Sequence, residues 1–268
     1  MSRVLSALRN LYMGLIATFL FLPLVVVAGV SVNAKKRLFF PPEGFSLRWY
    51  GELFTDKAWL VPVEHSLIIA VLASLFALSL ALPVAYLMWR KRVRYASLLY
   101  SMGVSPFILP PIITALGFLT FWATVGGFGQ LYAVVISHGV FLVTLPLVTI
   151  SLGFESIDPE LEEAAKTMGA DERTVFWTII VPLVRPYMLS GYAFAFVLSL
   201  NEYIIAYMVA GFTVETLPIK IFNSLRYGYT PVMAAVSVAF VLLAALLFGL
   251  IGKYGDLPKL MGSMAAED

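Results

Sequence analysis

Long stretches without a charged residue constrain this chain most. Residues 95–154 contain no Asp, Glu, Lys or Arg, and shorter charge-free stretches cover residues 10–34 and 65–89. A helix needs about 20 mostly apolar residues to cross the hydrocarbon core of a bilayer. The chain is 60% hydrophobic and 13% charged, whereas about a quarter of the residues in soluble domains are charged. A water-soluble fold of this length could not bury so many apolar side chains, so the sequence predicts an integral membrane protein.

The number of spans follows from the same stretches. Residues 95–154 are too many for one span and suit two, with a turn at the glycine-rich segment 126–130, because glycine clusters break helices. The stretches are apolar throughout and about twice the roughly 10 residues of a barrel strand, so they are expected to be helices. The sequence therefore predicts an all-α, polytopic membrane protein with a single transmembrane domain over residues 1–268 and about six spans, at about 11–32, 65–89, 96–125, 131–154, 187–209 and 232–251.

Prolines are frequent inside these spans. Taken singly, each is interpreted as a kink whose freed backbone groups are satisfied by neighbouring helices. The cluster of Pro106, Pro110 and Pro111 is the exception, since broken helices often line translocation sites. We therefore expect a broken helix in the third span.

The distribution of Lys and Arg predicts the orientation in the membrane. With the N-terminus inside, the cytoplasmic segments carry 11 Lys and Arg residues and the outer loops carry 7. The compact cluster Arg90–Arg94 is the strongest local signal, and it is expected to lie near anionic headgroups. Both termini and the segment 155–185 are thus predicted to be cytoplasmic, and a multi-pass location in the cytoplasmic membrane follows.

The segment 155–185 carries strong helix signals. Asp158 suits an N-cap and Pro159 the first helical position, while Gly169 is a natural C′ stop. A short helix at about 159–168 is therefore predicted, followed by a second helix from Asp171 towards Ile180 that Pro182 ends.

The short helix carries two neighbouring alanines, Ala164 and Ala165. They give it a small, smooth face that could lie in a groove of a partner protein. The alternative is a surface helix that rests on lipid headgroups.

Several motifs at fixed spacing resemble those of a known family. Glu163-Ala164-Ala165, followed by Gly169, Ile179 and Val181-Pro182, resembles the EAA loop of ABC importer permeases, which usually have leucine where this chain has Val181. The resemblance extends over nearly the whole chain. Further segments, Phe45–Tyr50, Thr216–Ile221 and Arg226–Pro231, resemble the spermidine/putrescine permease family, in its second-permease group.

The resemblance implies a type I ABC importer permease architecture and a function. The chain would be the permease subunit of a binding-protein-dependent ABC importer that moves a polyamine-like or other amine-containing organic solute across the inner membrane. The loop would dock into the ATPase, with Glu163, Ala164, Ala165, Gly169 and Pro182 as coupling residues. The implied partners are an ATPase subunit dimer that binds ATP and Mg, a second, non-identical permease, an extracytoplasmic solute-binding protein and the lipid bilayer.

The composition argues against an enzyme. Cysteine is absent and only two histidines, His65 and His138, are present, so neither a catalytic thiol nor a metal site is expected. The sequence has no Gly-x-x-x-x-Gly-Lys-Ser/Thr loop to bind phosphates, and its nearly balanced charge does not point to nucleic acid. ATP hydrolysis is therefore expected on other subunits, and no cofactor on this chain. The alternative function is a motor-independent secondary transporter or channel, which would favour more intramembrane charges than the one acid in the predicted spans.

That acid is Glu202. A charge at the bilayer centre costs about 3 kcal/mol or more, so this side chain should face protein or water. Small residues at helical spacing share its face, which marks helix packing. Glu202 is interpreted as a contact for a cationic solute, with Asn201 and Ser199 beside it on the pathway, or else as a structural pair with Arg226, Lys220 or a tyrosine.

Two departures from the resembled family bear on the solute. Asn201 replaces the first acid of a pair that is often acidic in the polyamine group, and Leu109-Pro110-Pro111 lacks the acid that many relatives carry after the first proline. Both weaken a multiply charged polyamine as the solute, and aminophosphonates or amino-acid derivatives stay open. His138 is expected to be hydrogen-bonded between helices, and Trp49, Tyr50 and Trp59 are expected to form an interfacial aromatic belt.

Overall fold

A computed structural model describes residues 2–90, 95–227 and 230–254. Within these residues the chain is folded almost entirely into helices. At Phe176–Ile180 the helical path widens into a π-helical turn. The α-helices are α1 (Ser2–Ser31), α2 (Arg48–Thr55), α3 (Lys57–Trp89), α4 (Ala96–Ile108), α5 (Pro111–Val125), α6 (Leu131–Leu142), α7 (Thr144–Glu155), α8 (Pro159–Thr167), α9 (Glu172–Val175), α10 (Val181–Asn201), α11 (Ile204–Ala210), α12 (Leu217–Tyr227) and α13 (Val232–Tyr254).

The described helices confirm a polytopic membrane protein. Four of them are long and apolar enough to cross a bilayer, and they cover Leu5–Ser31, Lys57–Trp89, Glu172–Asn201 and Val232–Leu250. Two further pairs pass the same test only together, α4 with α5 and α6 with α7, and they are bent by 109° and 42°. If each bent pair counts as one span, the total is six.

The third predicted span, 96–125, is not one straight helix. Leu109 and Pro110 adopt extended backbone conformations between α4 and α5, and Pro111 occupies the first position of α5. The physical reason is that each proline drives the residue before it out of the helical region, and two in succession stop the helix. The broken helix expected at this proline cluster is therefore present.

The fifth predicted span, 187–209, is displaced. One helical segment runs without a break from Glu172 to Asn201, and the separate helix α11 follows it. The prediction that Pro182 ends a helix is wrong, because the π-helical turn precedes Pro182, which then lies in the first turn of α10. In the widened turn the amide of Val181 donates to the carbonyl oxygen of Phe176, and local π-helical adjustments of this kind accommodate a proline within a membrane-spanning helix.

The chain divides into two compact units, and the first comprises residues 1–60 and 220–244. Here the buried Asn33 organises the loop after α1, and its carbonyl oxygen accepts a hydrogen bond of 2.6 Å from the indole of Trp49. Trp49 and Trp59 are both buried. The predicted interfacial aromatic belt is therefore wrong for these two residues, because their indoles pack inside the protein and not against lipid headgroups.

The described part of the second unit comprises residues 61–90, 95–219 and 245–254. Its glycines allow close helix packing: a Cβ atom at Gly153 of α7 would lie 2.7 Å from the ring of Tyr187 in α10. One buried cluster holds α8 against the inner helices, and another surrounds α11. The first includes Ala77, Ala81, Ala85, Ile150, Phe154, Ala165, Val175 and Ile180.

Candidate functional site

The short helix α8, called here the candidate coupling helix, begins and ends as the sequence predicts. The carboxylate of Asp158 accepts a hydrogen bond of 3.0 Å from the amide of Glu160, which satisfies one of the free N–H groups at the helix start. Gly169 terminates the helix with a φ of 90°, in the left-handed region that favours glycine. The next amide, Ala170, donates to the carbonyl oxygen of Ala165 at 3.0 Å, which closes a Schellman-type cap.

The candidate coupling helix has two faces of different character. Glu163 and Ala164 are exposed, and so is Met168, whose side chain is 82% exposed. Ala165 is buried in the cluster that includes Ala85 of α3 and Phe154 of α7. Because successive helical residues are about 100° apart, the two alanines divide: Ala164 lies on the exposed face and Ala165 on the packed face.

The helix that follows starts at its own N-cap. The Oδ1 atom of Asp171 accepts a hydrogen bond of 2.9 Å from the amide of Thr174. Hydrogen bonds from the Thr174 side chain and backbone hold the pKa of the Asp171 carboxyl below its usual range. From there one helical segment runs through the π-helical turn into the bundle, with Pro182 exposed on it. Gly169 and Ala170 lie in the short connection between the candidate coupling helix and this segment, and Ala165 packs in the same buried cluster as Val175 and Ile180.

Sequence reasoning missed an ion pair on the packed face. The Nη1 atom of Arg90, just after α3, lies 2.6 Å from Oε1 and 2.8 Å from Oε2 of Glu162. Lys166 adds a third contact, 2.7 Å from Nζ to Oε1. Partial burial alone would raise the pKa of the Glu162 carboxyl, but the hydrogen bonds from Arg90 and Lys166 outweigh it, so this pKa lies below its ordinary value.

The partners of Arg90 also change the interpretation of the basic cluster at 90–94. The guanidinium of Arg90 lies 4.6 Å from the ring centre of Trp89, and that indole stacks on Phe154 at 5.3 Å. Arg90 is therefore held by protein groups, whereas residues 91–94 of the cluster lie outside the described residues. The only sequence signal for this pair is opposite charge, and 72 residues separate its members.

A second polar cluster surrounds the acid of the fifth span. The Glu202 carboxylate accepts hydrogen bonds of 2.9 Å from the amide of Ile205 and 3.0 Å from the amide of Ala206. Its Oε2 atom lies 3.2 Å from Nε2 of His138 in α6, and the other ring nitrogen of His138 lies 2.9 Å from the Ser199 hydroxyl. The side chains of His138 and Glu202 are 1% and 8% exposed.

This cluster explains why α10 ends at Asn201. Glu202 has left the helical region, with ψ at 123°, and its carboxylate satisfies two amides in the first turn of α11 that have no partner within that helix. As predicted, Glu202 points into the bundle, and the partner the structure shows for it is His138. The prediction that His138 is hydrogen-bonded between helices is confirmed.

The predicted pathway residues do not all come together. Ser199 and Glu202 share the cluster with His138, while Asn201 is exposed and its amide donates a hydrogen bond of 2.8 Å to the carbonyl oxygen of Val197. Across the described ranges, no group of three or more His, Asp and Glu residues is placed to hold a metal ion.

Comparisons with known proteins agree along most of the chain. A family model described as "Binding-protein-dependent transport system inner membrane component" matches residues 2–256. The chain is 30% identical to the spermidine/putrescine transport system permease protein PotC of Haemophilus influenzae, over 90% of this chain and 96% of that protein. It is 34% identical to the putrescine transport system permease protein PotI of Escherichia coli, over 89% of this chain and 84% of that protein.

Solved structures share the fold at lower identity. A chain of a bacterial ABC transporter involved in the import of the acidic polysaccharide alginate matches with a TM-score of 0.72 and 18% identity, over 94% of this chain and 96% of that chain. A chain of the MetNI methionine ABC transporter, in inward-facing conformations, matches with a TM-score of 0.61 and 19% identity, over 73% and 94%.

Proposed function

The chain belongs to the family of binding-protein-dependent transport system inner membrane components, and from this premise we propose that a dimer of ATPase subunits drives it through the candidate coupling helix. ATP and Mg bind on those subunits, and this chain contributes no catalytic residue. It pairs with a second, non-identical permease and receives its solute from an extracytoplasmic solute-binding protein. In this arrangement both termini and α8 face the cytoplasm.

The observation that carries the docking proposal is the exposed face of α8. Glu163, Ala164 and Gly169 are all exposed, and the neighbouring Met168 leaves 82% of its side chain uncovered. Together these residues form one continuous exposed face on a short helix, and such a small, smooth helix face suits a groove of a partner protein. Glu163, Ala164 and Gly169 therefore form the docking surface for the ATPase.

The other two proposed coupling residues act from behind that surface. Ala165 is buried in the core cluster, so it fastens the helix to the bundle. Pro182 lies at the start of α10, directly after the π-helical turn. We assign it to the region where displacement of α8 enters the transmembrane helix.

We propose an amine-containing organic solute, because the two relatives named above carry the names of polyamine systems. The structure supports a solute of low charge. Glu202 is engaged by two amides and His138, and Asn201 supplies an amide where an acid is common. Within the proposed pathway, Asn201 faces the solute, while Glu202 and Ser199 hold the break between α10 and α11.

Transport assays with defined solutes test this assignment. Labelled putrescine should accumulate in proteoliposomes that contain the complex, ATP and the binding protein. An excess of unlabelled putrescine should compete more strongly than spermidine. Competition by an aminophosphonate, with none by putrescine, would overturn the polyamine-like assignment and leave the importer function standing.

Two matched substitutions at Gly169, to Asp and to Asn, test the docking surface. Asp and Asn have similar size, and both tolerate the left-handed backbone region better than other side chains. A Cβ atom at this position meets no atom within 4 Å, so neither variant clashes within the chain. Gly169→Asp should reduce co-purification of the ATPase and its stimulation by the binding protein at least about tenfold, equivalent to about 1.4 kcal/mol of interface energy.

Gly169→Asn serves as the control, because it repeats the backbone cost without the charge. It should retain most of the co-purification and stimulation. Equal and normal behaviour of both variants, with the chain inserted in the membrane, would mean that α8 is only a surface helix.

A further inference from the structure

We infer that Arg90 and Glu162 are positioning residues that clamp the candidate coupling helix to α3, so that displacement of α8 moves α3 together with α10. The inference rests on the proposed docking of an ATPase to α8. It adds that a displacement of α8 reaches two transmembrane helices, α3 and α10.

The clamp joins two elements that are distant in sequence. Arg90 follows α3 directly, and both oxygens of the Glu162 carboxylate lie within 2.8 Å of its Nη1 atom. Charge-assisted hydrogen bonds of this kind are about twice as strong as neutral ones. The two side chains are 13% exposed each, so water screens their attraction less than that of a surface pair.

Arg90 and Glu162 each contact further side chains besides one another. Arg90 packs over Trp89, which stacks on Phe154 of α7, and Lys166 supports Glu162 from one helical turn away. Immobilised side chains lose less conformational entropy when they pair, so the pair holds a defined geometry. The clamp is therefore a fixed point between α8 and the helix bundle.

The covalent link at the other end of α8 is slender by comparison. α8 joins the next helical segment through Gly169, whose φ is 90° and around which a Cβ atom would meet nothing within 4 Å. Gly169 itself therefore contributes no side-chain contact to this turn. Behind it, burial of Ala165 attaches α8 to the bundle, and the Arg90–Glu162 pair adds a charged attachment to the end of α3.

Two adjacent glutamates thus have separate tasks. The carboxylate of Glu162 is occupied by Arg90 and Lys166 on the packed face, whereas Glu163 is exposed. Loss of Glu162 should leave the docking surface intact and weaken the attachment of α3 to it, with the packing of Ala165 remaining. Such a variant still binds the ATPase subunits, but it imports less solute for each ATP hydrolysed.

The first experiment uses charge reversal in the complex purified through this chain and reconstituted in proteoliposomes. Arg90→Glu and Glu162→Arg should each retain co-purification of the ATPase. Each should also lower the amount of putrescine imported per ATP hydrolysed by about five-fold or more, the scale of a coupling energy of about 1 kcal/mol. The double variant Arg90→Glu/Glu162→Arg should recover at least half of the wild-type ratio, which a merely structural defect would not.

Glu160→Gln is the matched control, because Glu160 is an exposed glutamate on the same helix. Single reversals that behave like this control would overturn the inference, and so would a double variant that assembles without recovery. If a reversal prevents assembly, the isosteric Glu162→Gln decides. A reduced import ratio in an assembled complex supports the clamp, and a normal ratio overturns it.

A second experiment separates the clamp from the proposed function. The chain has no cysteine, so Met88→Cys on α3 and Leu161→Cys on α8 can carry two spin labels in the full chain in lipid nanodiscs. The label-to-label distance distribution should be narrow, should broaden with Glu162→Gln and should stay narrow with Glu160→Gln. An unchanged distribution with Glu162→Gln overturns the clamp itself, whereas a wild-type complex that recruits no ATPase overturns the proposed function instead.

Discussion

Glu162 and Glu202 each contact a basic side chain, and the surroundings of the two carboxylates differ. Glu162 lies on α8, and its carboxylate contacts Arg90 and Lys166. About an eighth of the Glu162 and Arg90 side chains is open to water. Glu202 lies in the break of the fifth span, where its carboxylate contacts His138 and two backbone amides. The Arg90–Glu162 pair connects the end of α3 to α8 near the protein surface. The contacts of Glu202 lie inside the bundle and stabilise the break between α10 and α11.

The difference teaches what a buried acid can do in a membrane protein. Water can replace part of what Glu162 would lose if its partner were removed. At Glu202 it cannot, because the side chains of both Glu202 and His138 are enclosed and unsatisfied polar groups in such surroundings are costly. We therefore expect the Glu202 cluster to dominate stability and the Glu162 cluster to dominate the transmission of motion.

The largest expected effect is that of Glu202→Ala. This variant leaves the amides of Ile205 and Ala206 without their acceptor, and each buried donor left unsatisfied costs about 1–3 kcal/mol, which gives about 3 kcal/mol for the two. The free energy of unfolding, measured in detergent by denaturant titration, should fall by about that amount. Asn201→Ala is the control, since Asn201 is exposed and bonds only within its own helix. If both variants cost the same small amount, the carboxylate does not hold the break, and the comparison between the two glutamates fails.

A smaller effect is expected from Glu162→Gln, about 1 kcal/mol of unfolding free energy at neutral pH. The folded-state pKa of Glu162 lies below its ordinary value, so the pair contributes its full stability above the ordinary carboxyl pKa of about 4.3. That contribution is lost as the pH falls through the lower folded-state pKa. Denaturant titrations at several pH values should show a constant difference between wild type and variant above about pH 5. A difference that grows towards acid pH would contradict the assignment.

The smallest effect is expected from Lys166→Ala. Lys166 is nearly half exposed and pairs with Glu162 across one helical turn, an arrangement worth about 0.3–0.5 kcal/mol. Added salt should remove most of this difference. A cost as large as that of Glu162→Gln would show that Lys166, and not Arg90, is the main partner of the carboxylate.

Family membership favours the importer permease over the motor-independent transporter that the sequence left open as an alternative. The relatives and the solved structures agree with the fold that the EAA-type spacing implied. The same spacing could not show which of the residues in that loop lie on the exposed face. The structure divides them, with Ala164 outside and Ala165 inside, because the helix rotates by about 100° per residue.

Local signals predicted the candidate coupling helix well, since a cap depends on residues close in sequence. Asp158 and Gly169 define its ends. Pro182 misled the prediction because the π-helical turn before it removes the usual conflict. The fifth span was predicted at 187–209, whereas the helical segment ends at Asn201. The side chain of Glu202 caps the next helix, α11, and hydropathy carries no information about such hydrogen bonds.

The sequence by itself determined the features that depend on the solvent and on neighbouring residues. These are the polytopic, helical character of the chain, the broken helix at Pro110 and the start and stop of α8. Only the tertiary structure decided the pairs Arg90–Glu162 and His138–Glu202, whose members are 72 and 64 residues apart. Opposite charges along a sequence do not specify which of them meet, because that choice is made by the packing of helices whose contacts are non-local.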